Sequence, residues 1–339
     1  MTRTSARQTV RVDHVSADSA DPVQWAGRDL LALRGLGGPG IRSLLERAAR
    51  YAPVANRTET QTGELAGRVV ALMSFESSTR TRVSFELSAR RLGAAVVDLS
   101  GGSSSVAKGE SLADTARTIE AMGASIMVVR TRQAGGAAVV ANAVSCPVVN
   151  AGDGRHEHPT QGLLDAYTLA ESFDRLDGFD LSGLRVAIVG DVANSRVARS
   201  AIAGFTALGA QVVCTGPIAL APRSFESLGC EVQRDFDAVL GEVDAVMMLR
   251  VQFERHAGGA CLRDDPAVGS VRQYRAGYAL TAERAARMKP DAIVMHPGPM
   301  NIGIEIDATV ARGPRSVIGR QVANGVAVRM AVLALLCGS

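Results

Sequence analysis

Val69-Val70-Ala71-Leu72-Met73-Ser74-Phe75-Glu76-Ser77-Ser78-Thr79-Arg80-Thr81-Arg82 decides how this chain folds. The apolar run over 69–73 reads as a buried strand. After it, Phe85, Ala89 and Leu92 recur at helical spacing and Gly93 supplies a stop. The hydroxyls and the guanidinium therefore fall at a strand-to-helix junction. Unsatisfied backbone N–H groups and the positive end of the helix dipole meet there, and both favour an anion. Ser78, Thr79 and Thr81 add hydroxyl donors, and Arg80 adds a planar fork suited to phosphate. Taken alone, the stretch also reads as a Ser/Thr N-cap followed by a solvated arginine.

Working outward, the same pattern repeats. Further strand-like runs occupy 125–129, 185–189, 211–214, 244–249 and 292–295. Helical patterns lie at about 81–92, 110–122, 160–172, 195–208 and 320–336. The alternation predicts an α/β protein with doubly wound parallel sheets and helices on both faces. Ligands of such sheets bind outside the carboxyl ends of the strands. A length of 339 residues favours two domains. The boundary is expected near 160–180, where 174–184 is rich in Asp, Gly and Leu. The last helix places Val322, Val326, Met330, Leu333 and Leu336 on one face.

Composition narrows the function classes. Hydrophobic residues make up 47% and charged residues 21%, a globular balance. The 37 basic and 34 acidic residues leave a net charge of +3, too small an excess to imply nucleic acid. Aromatics at 4% argue against base-stacking platforms. The five cysteines (146, 214, 230, 261, 337) form no Cys-x-x-Cys pair. They read as buried thiols in a reducing cytoplasm rather than a disulfide framework or zinc site. No run of about 18 apolar residues is seen, so no membrane span is expected. Residues 1–24 lack an apolar h-region, and Asp13, Asp18 and Asp21 argue against a transit peptide. They read as a mobile extension.

Other candidates sit at similar junctions. Arg130 ends the run 126–129, aiming a cation at the same sheet edge, where a surface arginine would also fit. His158 precedes Pro159, which biases it toward an extended backbone just before a helix. His156 reads as structural. Lys108 lies in a Gly/Ser-rich segment, 101–109, which by composition alone is a solvated linker. Arg196 lies in Gly190-Asp191-Val192-Ala193-Asn194-Ser195-Arg196, another strand-to-helix turn. Arg250 and Gln252 alternate after a strand and so face one way. Arg250 could instead pair with Glu254.

These blocks together resemble the aspartate and ornithine carbamoyltransferase family. Besides 75–82, the matching blocks are Ser103-Ser104-Ser105-Val106-Ala107-Lys108-Gly109-Glu110-Ser111-Leu112-Ala113-Asp114-Thr115, Gly152-Asp153-Gly154-Arg155-His156-Glu157-His158-Pro159-Thr160-Gln161, Leu249-Arg250-Val251-Gln252-Phe253-Glu254-Arg255 and His296-Pro297-Gly298-Pro299-Met300-Asn301. The third to fifth blocks resemble the branch acting on aspartate. The His-Cys-Leu-Pro of the ornithine branch is absent near His296. The resemblance covers roughly residues 28–336.

The resemblance implies carbamoyl transfer from carbamoyl phosphate to L-aspartate, the first committed step toward pyrimidines, with no redox cofactor and no metal. It implies a phosphate cradle of Ser78, Thr79, Arg80 and Thr81. Arg130, His158 and Thr81 would meet the carbonyl oxygen. Gln161 and the backbone carbonyls of Gly298 and Pro299 would hold the carbamoyl NH2, with a cis peptide at Gly298-Pro299. Arg196 would take the α-carboxylate, and Arg250 with Gln252 the β-carboxylate. Ser105 (Ser104 if the loop slips by one) and Lys108 would enter the neighbouring subunit's site, making a homotrimer obligatory. Glu76 and Arg255 would bridge the closed domains. The final helix would return to the first domain, giving residues 25–160 plus 317–339 for carbamoyl phosphate and 161–316 for aspartate. A regulatory chain or a dihydroorotase as partner stays open.

Three positions depart from the family pattern: Ile302 for an arginine, Asn194 for a histidine and Ser74 for a phenylalanine. Two alternatives remain within the family, a different amine acceptor or a silent scaffold subunit. Silent relatives would lose Arg80, Lys108 or His158, and all three are present. A dinucleotide-binding protein using the Gly190 turn is disfavoured because no Gly-x-Gly-x-x-Gly occurs there.

Overall fold

The computed structural model describes residues 23–55, 61–99, 110–252 and 270–338. Two sheets form, both wholly parallel. The first holds β1 (Val69–Ser74), β2 (Ala95–Asp98), β3 (Ile126–Thr131) and β4 (Val148–Asp153) in the order β2-β1-β3-β4. The second holds β5 (Arg185–Val189), β6 (Gln211–Thr215), β7 (Glu231–Gln233), β8 (Ala245–Met248) and β9 (Ile293–Met295) in the order β7-β6-β5-β8-β9. The helices are α1 (Gly37–Ala55), α2 (Thr79–Arg91), α3 (Leu112–Ala121), α4 (Gly136–Ala141), α5 (Pro159–Ser172), α6 (Arg196–Ala207), α7 (Phe236–Val239), α8 (Val271–Tyr278), α9 (Ala282–Ala286), α10 (Ala308–Ala311) and α11 (Ile318–Cys337).

The strand alternation explains the layers. In β1, Val70 and Leu72 point to one face and Ala71 and Met73 to the other. Ala71 and Met73 pack with Ala116 of α3 and Val140 of α4. Val70 and Leu72 join a larger core that also takes Val186 and Ile188 of β5 and Met247 of β8. That core continues through α1, α5, α6 and α11, so one apolar layer runs beneath both sheets. Each fully buried Leu or Ile there contributes about 1.5–3 kcal/mol.

The expected return of the last helix is seen: α11 packs on α1, α2 and α5. Its apolar face is wider than the sequence spacing indicates, because Ala327, Val328, Ala331 and Val332 are buried too. Val322 is the exception. It is 59% exposed, since the first turn of α11 opens toward the cleft described below. By length and mean hydropathy alone, 1.3, α11 could cross a membrane, although Arg320, Gln321, Asn324 and Arg329 interrupt its apolar run. However, 72% of that window is buried inside the protein, which identifies a core helix. The expected boundary at residue 160 falls inside α5, which packs on both α6 and α11.

Candidate active site

The cleft is built where strand ends converge. Its lining comes from the segments after β1 (Glu76–Thr81), β3 (Arg130, Arg132), β4 (His158, Gln161), β5 (Ser195, Arg196), β8 (Arg250, Gln252) and β9 (His296 to Pro299). The cavity measures about 1070 Å³. Seven arginines line it (80, 130, 132, 155, 196, 250 and 329) against one carboxylate, Glu76, among the described residues. Such a cleft selects a ligand carrying several negative charges.

At its floor, β1 ends and α2 begins as the sequence predicts. Ser78 is the N-cap, its Oγ accepting from Thr81 N at 3.4 Å. Thr79, Arg80 and Thr81 form the first turn, so the helix N-terminus, the two threonine hydroxyls and the Arg80 guanidinium rim the cleft. The Arg80 guanidinium forms no hydrogen bond or ion pair with a described residue. Burial, then the charge of Arg250, disfavours its charged form, so an anion beside it is favoured. Its guanidinium lies against Gly298, where a Cβ would come within 3.2 Å of Cζ. Gly298 also has φ +65°, so close approach and backbone conformation both require glycine. The peptide Gly298-Pro299 is cis, as expected.

Arg130 is aimed by a bulge. Val129 pairs with Asn150 but Thr131 with Asp153, so two β4 residues, Ala151 and Gly152, oppose Arg130 alone. Its Nη1 donates to Ala151 O at 3.1 Å and its Nη2 to Glu76 Oε1 at 2.9 Å. Arg196 reaches Glu76 from the second sheet, Nη1 to Oε2 at 2.9 Å, with a second bond from Nη2 to Oε1. A Cβ on Gly152 would sit 3.0 Å from Arg196 Nε and 3.1 Å from Arg130 Nη1. Glycine there lets two guanidiniums share one carboxylate. Glu76, which follows β1 of the first sheet, is thus tied to Arg196, which follows β5 of the second. Arg255, Ser104, Ser105 and Lys108 lie outside the described residues.

His158 caps α5 with its backbone. Its N–H donates to Ser200 Oγ at 2.9 Å, and Ser200 donates to Glu157. The ring is 4% exposed and Nδ1 has no hydrogen-bond partner among the described residues. Burial, reinforced by Arg130, Arg329 and Arg196, holds its pKa well below 6.5. The ring is therefore neutral near pH 7, a hydrogen-bond donor but a poor proton acceptor. His156 instead pairs with Asp153 at 3.1 Å, the structural role expected of it. His296 Nδ1 accepts from Gly298 N at 2.8 Å, which puts the ring proton on Nε2, 3.4 Å from Glu305.

Arg250 and Gln252 both line the cleft, as their spacing predicts. Asp191 fixes this corner, accepting from Gln252 N at 3.2 Å and Asn194 Nδ2 at 2.7 Å. Asn194 thus does structural work in place of the family's histidine. Ser74 closes β1, and Ile302 is 45% exposed.

Sequence reasoning missed the polar layer beneath the cleft: Glu157, Asp165, Ser200, Gln321 and Arg329. Asp165, Ser200, Gln321 and Arg329 read as ordinary helix positions, and Glu157 lies in the polar segment between His156 and His158. Burial pushes the Asp165 carboxyl up to about 7, against hydrogen bonds from Gln321 and Gln161 and the charge of Arg329. The ordinary value is 3.8, so the unfolded chain ionises first as pH rises. Stability from this group is full below about pH 4 and is lost as pH climbs through 7, by up to roughly 4 kcal/mol. Asp165→Asn should therefore be more favourable relative to wild type at pH 8 than at pH 5 in thermal unfolding. An equal difference at both pH values would contradict this.

Comparisons with known proteins agree with this geometry. The aspartate/ornithine carbamoyltransferase carbamoyl-P binding domain matches residues 28–171, and the Asp/Orn binding domain of the same family matches 182–336. The aspartate carbamoyltransferase catalytic subunit of Rhodospirillum rubrum is 49% identical over 317 residues, covering 93% of this chain and 96% of the relative. That of Myxococcus xanthus is 50% identical, covering 90% and 98%. Among solved structures, aspartate transcarbamoylase from Trypanosoma cruzi with carbamoyl phosphate and aspartate superposes with a TM-score of 0.80 at 28% identity, covering 94% and 99%. Ornithine carbamoyltransferase from Pyrococcus furiosus gives 0.78 at 27%, with the same coverage.

Proposed function

Because the chain belongs to the aspartate/ornithine carbamoyltransferase family, we propose that it transfers the carbamoyl group of carbamoyl phosphate to the amine of L-aspartate. The products are N-carbamoyl-L-aspartate and phosphate, the first committed step of pyrimidine biosynthesis. The observation that carries the reading is the single cleft in which Ser78 to Thr81 at the end of β1 face Arg196, Arg250 and Gln252 at the ends of β5 and β8. A phosphate fits the first group and a dicarboxylate the second.

In this account the phosphate rests on the α2 N-terminus and Arg80. The carbonyl oxygen meets His158, Thr81 and Arg130. The amine lone pair attacks the carbonyl carbon, charge builds on that oxygen, and the bond to phosphate breaks. Donors fixed in advance at a developing oxyanion are worth roughly 3–4 kcal/mol each. With His158 neutral and reluctant to take a proton, the amine proton passes to the leaving phosphate, the strongest base nearby. Arg196 holds the α-carboxylate, and Arg250 with Gln252 the β-carboxylate. Closure of the halves, with Glu76 and Arg255 bridging, excludes water.

Aspartate is favoured over ornithine by charge. A clamp for ornithine needs a carboxylate for its second ammonium. The one carboxylate lining the cleft among the described residues, Glu76, is already bound to Arg130 and Arg196.

In the same reading, residues 25–160 with 317–339 form the carbamoyl phosphate domain and 161–316 the aspartate domain. Ser105 and Lys108 of one subunit complete the site of the next, so the enzyme works as a cytoplasmic homotrimer. Sedimentation tests the assembly, at three times the 35.4 kDa chain mass. The function is tested by incubating purified protein with carbamoyl phosphate and L-aspartate. Phosphate and N-carbamoyl-L-aspartate should appear one for one. Phosphate without the carbamoylated product would refute the reading.

A further inference from the structure

A chain of hydrogen bonds runs under the cleft from one half to the other. It starts at a backbone N–H, which can only donate: His296 N donates to Gln321 Oε1 at 2.9 Å. That fixes the Gln321 amide, whose Nε2 then donates to Asp165 Oδ1 at 2.8 Å. The same Oδ1 accepts from Gln161 Nε2 at 2.9 Å. With Nε2 turned toward Asp165, the opposite end of the Gln161 amide, its oxygen, is the one presented to the cleft it lines. Asp165 is fully buried and Gln321 is 2% exposed, so water does not compete for these bonds. Because Oδ1 accepts both amides, a proton on Oδ2, which has no partner among the described residues, leaves the arrangement unchanged.

We propose that Asp165 and Gln321 are positioning residues that set which end of the Gln161 amide faces the cleft and tie it to the turn at 296–299. The inference rests on the carbamoyl phosphate reading above and deepens it. A carbamoyl NH2 is a donor and needs acceptors. Gln161 Oε1 supplies one from α5, and the carbonyls of Gly298 and Pro299 supply others from the far half. The chain through Asp165 and Gln321 holds these two sources in register. If it were cut, the Gln161 amide could rotate and present NH2 to NH2, while the phosphate cradle at the α2 N-terminus would be untouched. The device therefore distinguishes carbamoyl phosphate from phosphate itself.

The test compares the KM for carbamoyl phosphate with the inhibition constant of inorganic phosphate in wild type, Asp165→Leu, Asp165→Asn and Gln321→Leu. Asp165→Leu should raise the KM about tenfold or more, with the phosphate constant moving less than about twofold. Asp165→Asn keeps an acceptor in place and should stay within about twofold of wild type on both. Gln321→Leu should raise the same ratio, and it carries the test if Asp165→Leu does not fold. An unchanged ratio in the leucine variants, or an asparagine variant as impaired as the leucine one, overturns the proposal. If wild type does not turn over aspartate, the functional reading fails by itself. Calorimetric binding of carbamoyl phosphate and of phosphate then reads the same ratio.

Discussion

Arg80→Ala should lower kcat for carbamoyl transfer about a thousandfold or more while the protein stays folded. Arg80 occupies the first turn of α2, at the point where the helix N-terminus opens into the cleft. Its side chain holds no hydrogen bond to a described residue, and alanine is well tolerated in a helix, so the fold loses little. Its guanidinium stands beside Arg250, where charge without a bound anion is disfavoured. The leaving phosphate gains charge as its bond to carbon breaks, so the Arg80 contact strengthens toward the transition state. For that reason kcat should fall more than the KM for carbamoyl phosphate rises. Arg80→Lys should recover little, because the planar fork is lost. Steady-state kinetics beside a circular dichroism melt checks both parts. A decrease under tenfold would contradict the assignment.

Arg196→Ala should raise the KM for L-aspartate or lower kcat/KM by roughly 100- to 1000-fold. The side chain is 6% exposed and binds Glu76 through two N–H groups. A substrate carboxylate can take that fork only by displacing or sharing Glu76, which is why the pair sits at the junction of the two halves. Removing Arg196 leaves the Glu76–Arg130 pair in place. Each charge-assisted bond lost at a buried carboxylate costs about 1.5–3 kcal/mol. The KM for carbamoyl phosphate should move far less. If it moves as much as that for aspartate, Arg196 serves the whole cleft and not the acceptor.

Much of this was legible from local sequence. Strand β1, the α2 cap and the alternation of Arg250 with Gln252 follow from periodicity and capping chemistry, which act over a few residues. Helix α1 escaped because it opens on Gly37-Gly38-Pro39-Gly40, the composition of a turn, although Ile41, Leu44, Leu45 and Ala48 carried helical spacing. Strand β4 escaped because Asn150 and Gly152 interrupt its apolar run. Both residues serve the site, Gly152 by making room for arginines and Asn150 by bonding Asp153. Strand β2 is a short exposed edge and β7 has three residues, too few for a pattern. The roles of Asp165 and Gln321 were invisible for a different reason. Their partners are 156 residues apart in the chain and meet only because α11 returns to pack on α5.

The most direct test of the central claim is kcat/KM for L-aspartate against L-ornithine at saturating carbamoyl phosphate. The account predicts a preference for L-aspartate of about a thousandfold or more, since ornithine's second ammonium would face arginines, with Glu76 the one carboxylate lining the cleft among the described residues and already paired. Equal turnover, or a preference for ornithine, would leave the phosphate cradle standing and contradict the dicarboxylate clamp.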